Sequence, residues 1–193
     1  MRDYSQSGKV IIAICLLTSV LWLLPKFAVM ATTNAVVTTS SATNLCPEFT
    51  LEDQFSHMHE FKFPRDKPTV LTVADKKGSD AIKDWAHPLA ERFGDKIIIA
   101  GLADVSSVPG PLHRLVRSKF KKAITYPVML DWEGNATRSF SYTKGKANVY
   151  LVSSEGRILH HYAGKADGEK LKQLMTWVER EIRDAHEAKV RSN

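Results

Sequence analysis

Between residues 47 and 190 the chain alternates short apolar runs with amphipathic segments, which is the pattern of an α/β domain. The run Thr69–Ala74 is apolar and β-branched, as expected of a buried strand. A helical pattern follows over about 79–93, and Gly94 is placed to end it. The run 96–102 is almost wholly apolar and is predicted to be a strand covered on both faces. This succession predicts a central sheet with helices packed against it.

The rest of the domain follows the same alternation. Alternating positions near the start predict a hairpin that turns around 56–59, and a second helix is expected from Pro111 to about residue 122. The C-terminal segment 165–189 predicts a long helix with one apolar face. Three further strands are predicted at 126–130, 148–153 and 158–162.

An uncharged apolar run at 10–24 precedes the domain, with Arg2 and Lys9 ahead of it or at its start. Its fifteen residues suit the core of a signal peptide and fall short of the roughly 20 that span a bilayer. Segment 1–31 is therefore predicted to be either a cleaved signal peptide or an uncleaved transmembrane anchor, and 32–46 a flexible linker. Both alternatives place the domain outside the cytoplasm, in the periplasm or another extracytoplasmic space.

Four motifs, in this order, resemble the redoxin branch of the thioredoxin-like superfamily, which includes peroxiredoxins and membrane-tethered thiol-disulfide carriers. They are CPEFTLED at 46–53, VLTVAD at 70–75, YPVMLD with a following EG at 126–134, and ANVYLV with a following EGR at 147–157. The resemblance covers about residues 46–180. It implies an α/β thioredoxin-like fold, a central mixed sheet flanked by helices, for domain 47–190.

The same resemblance shows what this chain lacks. A thiol oxidoreductase carries Cys-x-x-Cys where the first central strand meets its helix, because the helix N-terminus lowers the pKa of the thiol. By register these two positions fall at about Gly78 and Ala81, and Lys146 or Ala147 replaces the family's cis-proline. The peroxiredoxin arrangement of threonine and cysteine is not recognisable either. Restoring cysteines at Gly78 and Ala81 is therefore expected to restore thiol-disulfide exchange.

Cys15 and Cys46 are the two cysteines of the chain, and Cys15 lies inside the apolar N-terminal run. Cleavage of a signal peptide would leave Cys46 alone. Cys46 is either the reactive thiol of an atypical enzyme or a small buried residue where redoxins often carry alanine. The second alternative is favoured, because no helix N-terminus or evident cation lies beside Cys46 to lower its pKa.

Polar residues occupy the place of the missing redox loop. They form either a polar docking or ligand site at the exposed end of the sheet, or a solvated turn with a helix cap. The candidate binding residues are Asp75, Lys76, Lys77, Asp80, Lys146 and Ala147.

The helix after Pro111 carries a basic stripe beside an apolar face. The stripe suits anionic lipid head groups or an acidic partner, and a plain solvated face is the alternative. The basic residues are Arg114, Arg117, Lys119, Lys121 and Lys122, and the apolar ones are Leu112, Leu115, Val116 and Phe120.

Net charge and the absence of known catalytic motifs exclude several classes of function. The net charge of +6 is too small an excess to indicate a nucleic-acid partner, and NTPase, zincin and α/β-hydrolase motifs are absent. His57 and His59 share a strand face but lack a third ligand, so neither a metal site nor a cofactor is predicted.

The prediction is a non-catalytic binding or scaffold module of the cell envelope, with an envelope protein or a small ligand as partner. The alternative is a thiol oxidoreductase or peroxidase that uses Cys46.

Overall fold

The computed structural model describes residues 44–191. The predictions for the signal peptide or anchor at 1–31 and for most of the 32–46 linker lie outside these residues. Within the described range, no helix is both long enough and apolar enough to cross a membrane.

The domain begins with the predicted hairpin. Strands β1 (Phe49–Glu52) and β2 (Met58–Phe61) pair antiparallel, with Phe49 opposite Phe61. The rings of these two residues stack at a centroid separation of 4.8 Å. The hairpin is thereby fixed against the apolar side of the main sheet.

The main sheet has five strands in the order β5-β4-β3-β6-β7. Within this sheet, strands β3, β4 and β5 run parallel to one another. Strand β6 runs antiparallel to β3, and β7 runs antiparallel to β6. This mixed sheet confirms the predicted fold class. The strands are β3 (Thr69–Ala74), β4 (Ile98–Asp104), β5 (Val128–Asp131), β6 (Asn148–Val152) and β7 (Ile158–Ala163).

Four α-helices connect or flank the strands. The first two each continue from a 3₁₀ turn, at Ser79–Ala81 and Gly110–Leu112. The third is a five-residue helix that the sequence analysis missed, because so short a segment shows no period. The helices are α1 (Ile82–Phe93), α2 (His113–Ala123), α3 (Asn135–Ser139) and α4 (Gly168–Arg191).

Apolar clusters cover both faces of the sheet. On one face, Trp85 and Leu89 of α1 and Leu174 and Val178 of α4 are fully buried against the strands. This confirms the predicted apolar face of the C-terminal helix. The other face packs against the hairpin and Phe140.

The prediction that the strand after α1 is covered on both faces is wrong. In β4, Leu102 is buried, and the other six residues are only partly covered. Strand β5 pairs only with the segment 101–104 of β4, and α2 contributes no buried side chain. An apolar run indicates that a strand can be buried. Whether both faces of the strand are buried depends on how the neighbouring strand and helix pack against it.

Candidate functional site

The candidate site is the corner where β3 ends and the helical turn before α1 begins. Asp75 follows the last residue of β3, and its Oδ1 accepts hydrogen bonds from the backbone N–H groups of Lys77 (3.0 Å) and Gly78 (2.9 Å). Its Oδ2 accepts a third from the N–H of Gly145 at 2.8 Å. One carboxylate therefore caps the turn and holds the loop 143–147 against it.

Gly78 lies directly beneath this loop. A Cβ atom at residue 78 would be 2.2 Å from the carbonyl oxygen of Lys146 and 2.9 Å from the backbone nitrogen of Ala147. Real Cβ atoms do not approach backbone atoms this closely. The backbone of the loop thus occupies the space that a side chain at residue 78 needs, which contradicts the expectation that a cysteine fits there.

Asn148, the first residue of β6, fastens the loop from the other side. Its side chain is fully buried, and its Oδ1 accepts from the N–H of Thr143 while its Nδ2 donates to the carbonyls of Thr143 and Lys146, each at 2.9 Å. The bond between Lys146 and Ala147 is trans. The loop is thus bound to β3 through Asp75 and to β6 through Asn148.

The structure divides the six predicted binding residues into two groups. It brings Asp75, Lys146 and Ala147 together around Gly78, where Asp75 is engaged in hydrogen bonds and Ala147 is buried. The second group consists of Lys76, Lys77 and Asp80, whose side chains are exposed. The side chain of Lys146 is exposed as well, and these four residues form the rim of the corner.

Two further aspartates end the neighbouring parallel strands, and sequence reasoning missed both. Asp104, the last residue of β4, accepts from the N–H (3.0 Å) and hydroxyl (2.6 Å) of Ser106 and from the hydroxyl of Tyr142. Asp131, the last residue of β5, is buried and accepts from Gly134 and Thr137. The repeated pattern of a strand-ending aspartate before Ser or Gly was the available signal.

The pKa values at this edge follow from burial and hydrogen bonding. Burial pushes the pKa of Asp104 upward, but the hydrogen bonds from Ser106 and Tyr142 outweigh it and hold that pKa below its usual range. Burial, together with the adjacent Asp104 carboxylate, raises the pKa of Tyr142. The carboxylate is therefore ionised and the phenol protonated at neutral pH, which suits a structural hydrogen bond.

Cys46 is not part of this corner and lies in the apolar cluster under the hairpin. Its thiol is buried, and its backbone N–H donates to the carbonyl of Gly156 at 2.7 Å. Burial raises the pKa of the Cys46 thiol from 9.0 to about 12, and Arg65 offsets this only in part. A thiol in this state is protonated at neutral pH and is a poor nucleophile.

This burial predicts an alkaline loss of stability. The unfolded chain ionises Cys46 with the ordinary pKa of 9.0, whereas the folded protein keeps the proton until about pH 12. Below the pKa of the unfolded chain, Cys46 makes its full contribution to the free energy of unfolding. Between the pKa values of the unfolded and the folded protein, that contribution falls by about 1.4 kcal/mol per pH unit. Tyr150, whose pKa burial raises to about 12, adds to the loss at higher pH.

Urea unfolding of the wild type and of Cys46→Ala, measured from pH 8 to pH 11, tests this prediction. The difference between their free energies of unfolding should shrink steadily as the pH rises. Two parallel curves would show that Cys46 is ionised equally in both states.

The predicted histidine pair lies around a single buried carboxylate. Asp53 accepts from the Nε2 of His59 at 2.8 Å and from the backbone N–H groups of Phe55 and His57. Burial pushes the pKa of Asp53 upward, but these hydrogen bonds lower it further than burial raises it. Among residues 44–191, no group of three or more His, Cys, Asp or Glu side chains is arranged to hold a metal ion.

The basic helix α2 has no buried side chain and contacts the hairpin through hydrogen bonds of Arg117. Arg117 points toward the hairpin and bonds the Glu52 carboxylate and the Ser56 hydroxyl, each at 2.7 Å. The sequence groups Leu112 and Leu115 on one apolar face with Val116 and Phe120, but the structure leaves the two leucines exposed. The four other cations are exposed as well, namely Arg114, Lys119, Lys121 and Lys122.

An open groove of about 580 Å³ lies on another part of the domain, between β2, α1 and the first half of β4. Phe61 and Met129, both buried, line it together with Ile99 and Ala90. The groove results from the short β5, which leaves the beginning of β4 uncovered. It is an apolar surface separate from the corner at Gly78.

No protein-family model and no curated protein sequence matches this chain. Solved structures do match it. The pneumococcal exposed lipoprotein thioredoxin of Streptococcus pneumoniae superposes with a TM-score of 0.53 at 14% identity, covering 67% of this chain and 98% of that chain. A thiol:disulfide interchange protein of Chlorobium tepidum gives 0.51 at 14%, covering 70% and 96%. StoA of Bacillus subtilis gives 0.52 at 15%, covering 67% and 97%.

At these identities the likeness establishes the architecture. The strand order and the parallel and antiparallel pairings agree with it. This chain therefore has the thioredoxin-like fold, and the part of it that the structure describes contains one cysteine, the buried Cys46.

Proposed function

We propose that this chain is a non-catalytic binding module built on the thioredoxin-like fold. The observation that carries the proposal is the closed corner at Gly78, where the loop backbone fills the space that a redox thiol requires. Thiol-disulfide exchange needs an accessible thiolate that a substrate sulfur can approach. The corner at Gly78 has no cysteine sulfur, and the loop backbone leaves no room for a substrate sulfur to approach.

We place the module outside the cytoplasm. The apolar run at 10–24 supports export as a signal peptide or an anchor. One structural neighbour is an exposed lipoprotein thioredoxin, which is consistent with the same side of the membrane.

The partner surface in this proposal is the rim of the corner. Lys76, Lys77 and Lys146 are exposed there, against the exposed carboxylate of Asp80 and the hydrogen-bonded carboxylate of Asp75. An excess of cations at the exposed end of a sheet suits an acidic group of a protein or small ligand. We therefore propose an envelope protein or small ligand that presents carboxylates or phosphates to this rim.

The alternative of an enzyme that uses Cys46 has less support. Cys46 is 5% exposed and the pKa of its thiol is raised to about 12, so it offers almost no thiolate at neutral pH. We expect the purified protein neither to reduce insulin disulfides nor to consume peroxide above background. Assays of the wild type beside Cys46→Ser test this, and a peroxide turnover that the serine variant loses would establish the enzyme instead.

A charge reversal tests the rim. Lys77→Glu with Lys146→Glu should lower capture of the partner from envelope extract by at least about tenfold, because each reversal turns an attraction into a repulsion. The matched control is Lys96→Glu with Lys172→Glu, which changes the net charge equally at exposed positions before β4 and on α4, away from the corner. If both variants capture the same proteins in equal amounts, the rim is not the binding surface.

A further inference from the structure

Helix α2 presents a cationic face that nothing in the described part of the chain covers. From Val105 to Leu130 the sequence contains no Asp or Glu, so no carboxylate on this segment neutralises the helix. No residue of α2 itself is buried. The charge of this face is available to a partner outside the domain.

The inward side of α2 fixes which face points outward. Arg117 is held by the Glu52 carboxylate and the Ser56 hydroxyl, and His113 stacks on Trp132 at a centroid separation of 4.0 Å. These contacts leave the helix little freedom to rotate about its axis. The opposite side is therefore a defined surface of the protein.

That outward surface combines cations with two apolar side chains. Leu112 is 46% exposed and Leu115 is 53% exposed. Leu115 lies four residues before Lys119 and seven before Lys122, so all three project from the same side of the helix. Arg114 and Lys121 extend the positive charge next to them. The outer face of α2 is the name used below for Arg114, Leu115, Lys119, Lys121 and Lys122, together with Leu112 of the 3₁₀ turn that leads into the helix.

We propose that the outer face of α2 docks on an anionic lipid surface. Its charge is complementary to acidic head groups, and the two leucines are placed to enter the interface among them. Long lysine stems lie along the acyl boundary while their ammonium groups stay with the phosphates. A convex helix with projecting leucines suits a lipid boundary better than the pocket of a protein partner. This proposal is independent of the partner at the corner rim.

A dye placed on the outer face gives a local readout in the full chain. Ser118 is exposed on this side of α2, and Thr176 is a similar exposed residue on α4. Ser118→Cys or Thr176→Cys, each with Cys15→Ser, takes an environment-sensitive dye, while the buried Cys46 does not react. Because the dye reports only its own surroundings, membrane binding through the run at 10–24 does not produce the signal at residue 118.

The probe is a vesicle of phosphatidylcholine alone or of an equal mixture of phosphatidylcholine and phosphatidylglycerol. We expect the dye at residue 118 to shift to the blue only with the anionic vesicles, less so at high salt, while the dye at 176 does not respond. An equal response to both vesicle types, or an equal response at 176, would overturn the proposal.

Two matched variants complete the test. Changing the four outer-face cations to glutamine should lower the partitioning of α2 by on the order of fivefold per cation. The control changes Lys83, Lys96, Lys165 and Lys172 to glutamine, removes the same charge and should keep the response. An unchanged signal in the outer-face variant contradicts the proposal. A response to soluble polyglutamate as large as that to anionic vesicles would replace the lipid surface with an acidic protein.

Discussion

Replacing Gly78 with alanine is expected to destabilise the protein by about 3 kcal/mol, because the new methyl group collides with backbone atoms. Its Cβ would be 2.2 Å from the Lys146 carbonyl oxygen and 2.3 Å from the carbonyl carbon. A backbone cannot move aside as a flexible side chain can. The φ of Gly78 is −80°, so glycine is required here for space and not for an unusual conformation.

Chemical denaturation of Gly78→Ala measures this cost. Gly110→Ala is the matched control, because no atom lies within 4 Å of a Cβ at residue 110 and its φ is not positive. The control should change the free energy of unfolding by less than about 1 kcal/mol. If the two variants are equally stable, the loop 143–147 does not rest on Gly78.

The same collision changes what is expected of restored cysteines. Gly78→Cys with Ala81→Cys must push the loop away before the first sulfur can be accommodated. We therefore expect the double variant to be destabilised like Gly78→Ala and to show no exchange activity. The sequence, which predicts only the positions of the missing thiols, supports the opposite expectation.

Replacing Asn148 with alanine is expected to cost about 3 kcal/mol as well, through lost hydrogen bonds. The fully buried amide bonds the N–H and the carbonyl of Thr143 and the carbonyl of Lys146. Without it these backbone groups lose their partners, and each buried group left unpaired costs about 1–3 kcal/mol. The melting temperature should fall by roughly 6–12 °C.

Calorimetry and amide hydrogen exchange together test this variant. Core amides such as Leu71 exchange through global unfolding and should quicken only as far as the lost stability requires, whereas Thr143, whose N–H bonds the Asn148 side chain, should quicken further through local opening. Asn135→Ala is a suitable control, because Asn135 is exposed and hydrogen bonds only within its own segment. If the exchange of Thr143 quickens by no more than that of the core amides, Asn148 supports the fold in general and does not hold this loop in particular.

These two residues explain how the corner stays closed. Gly78 lets the loop approach, and Asn148 and Asp75 hold it there through side-chain hydrogen bonds. The strand-ending aspartates provide similar local caps at β4 and β5. The carboxylates at this end of the sheet are therefore hydrogen-bonded within the domain.

Much of the fold was predictable because it is local. The hairpin, the strand Thr69–Ala74 and the C-terminal helix each follow from alternation or helical periodicity within one segment. Strand β4 begins and ends two residues later than predicted, at Ile98–Asp104, because the pattern does not mark where pairing with β3 begins. Helix α3 depends on the buried carboxylate of Asp131, whose role only its contacts reveal.

The sequence by itself determined that Cys46 is the one cysteine after the apolar run at 10–24, that the basic residues of α2 follow one another without an acidic residue, and that the elements occur in the thioredoxin-like order. Only the tertiary structure decided that Cys46 is buried, that Leu112 and Leu115 are exposed and that the corner at Gly78 is closed. The physical reason is the separation of the partners along the chain. Asp75 and Gly145 lie 70 residues apart, and no local pattern shows that folding brings their atoms to 2.8 Å.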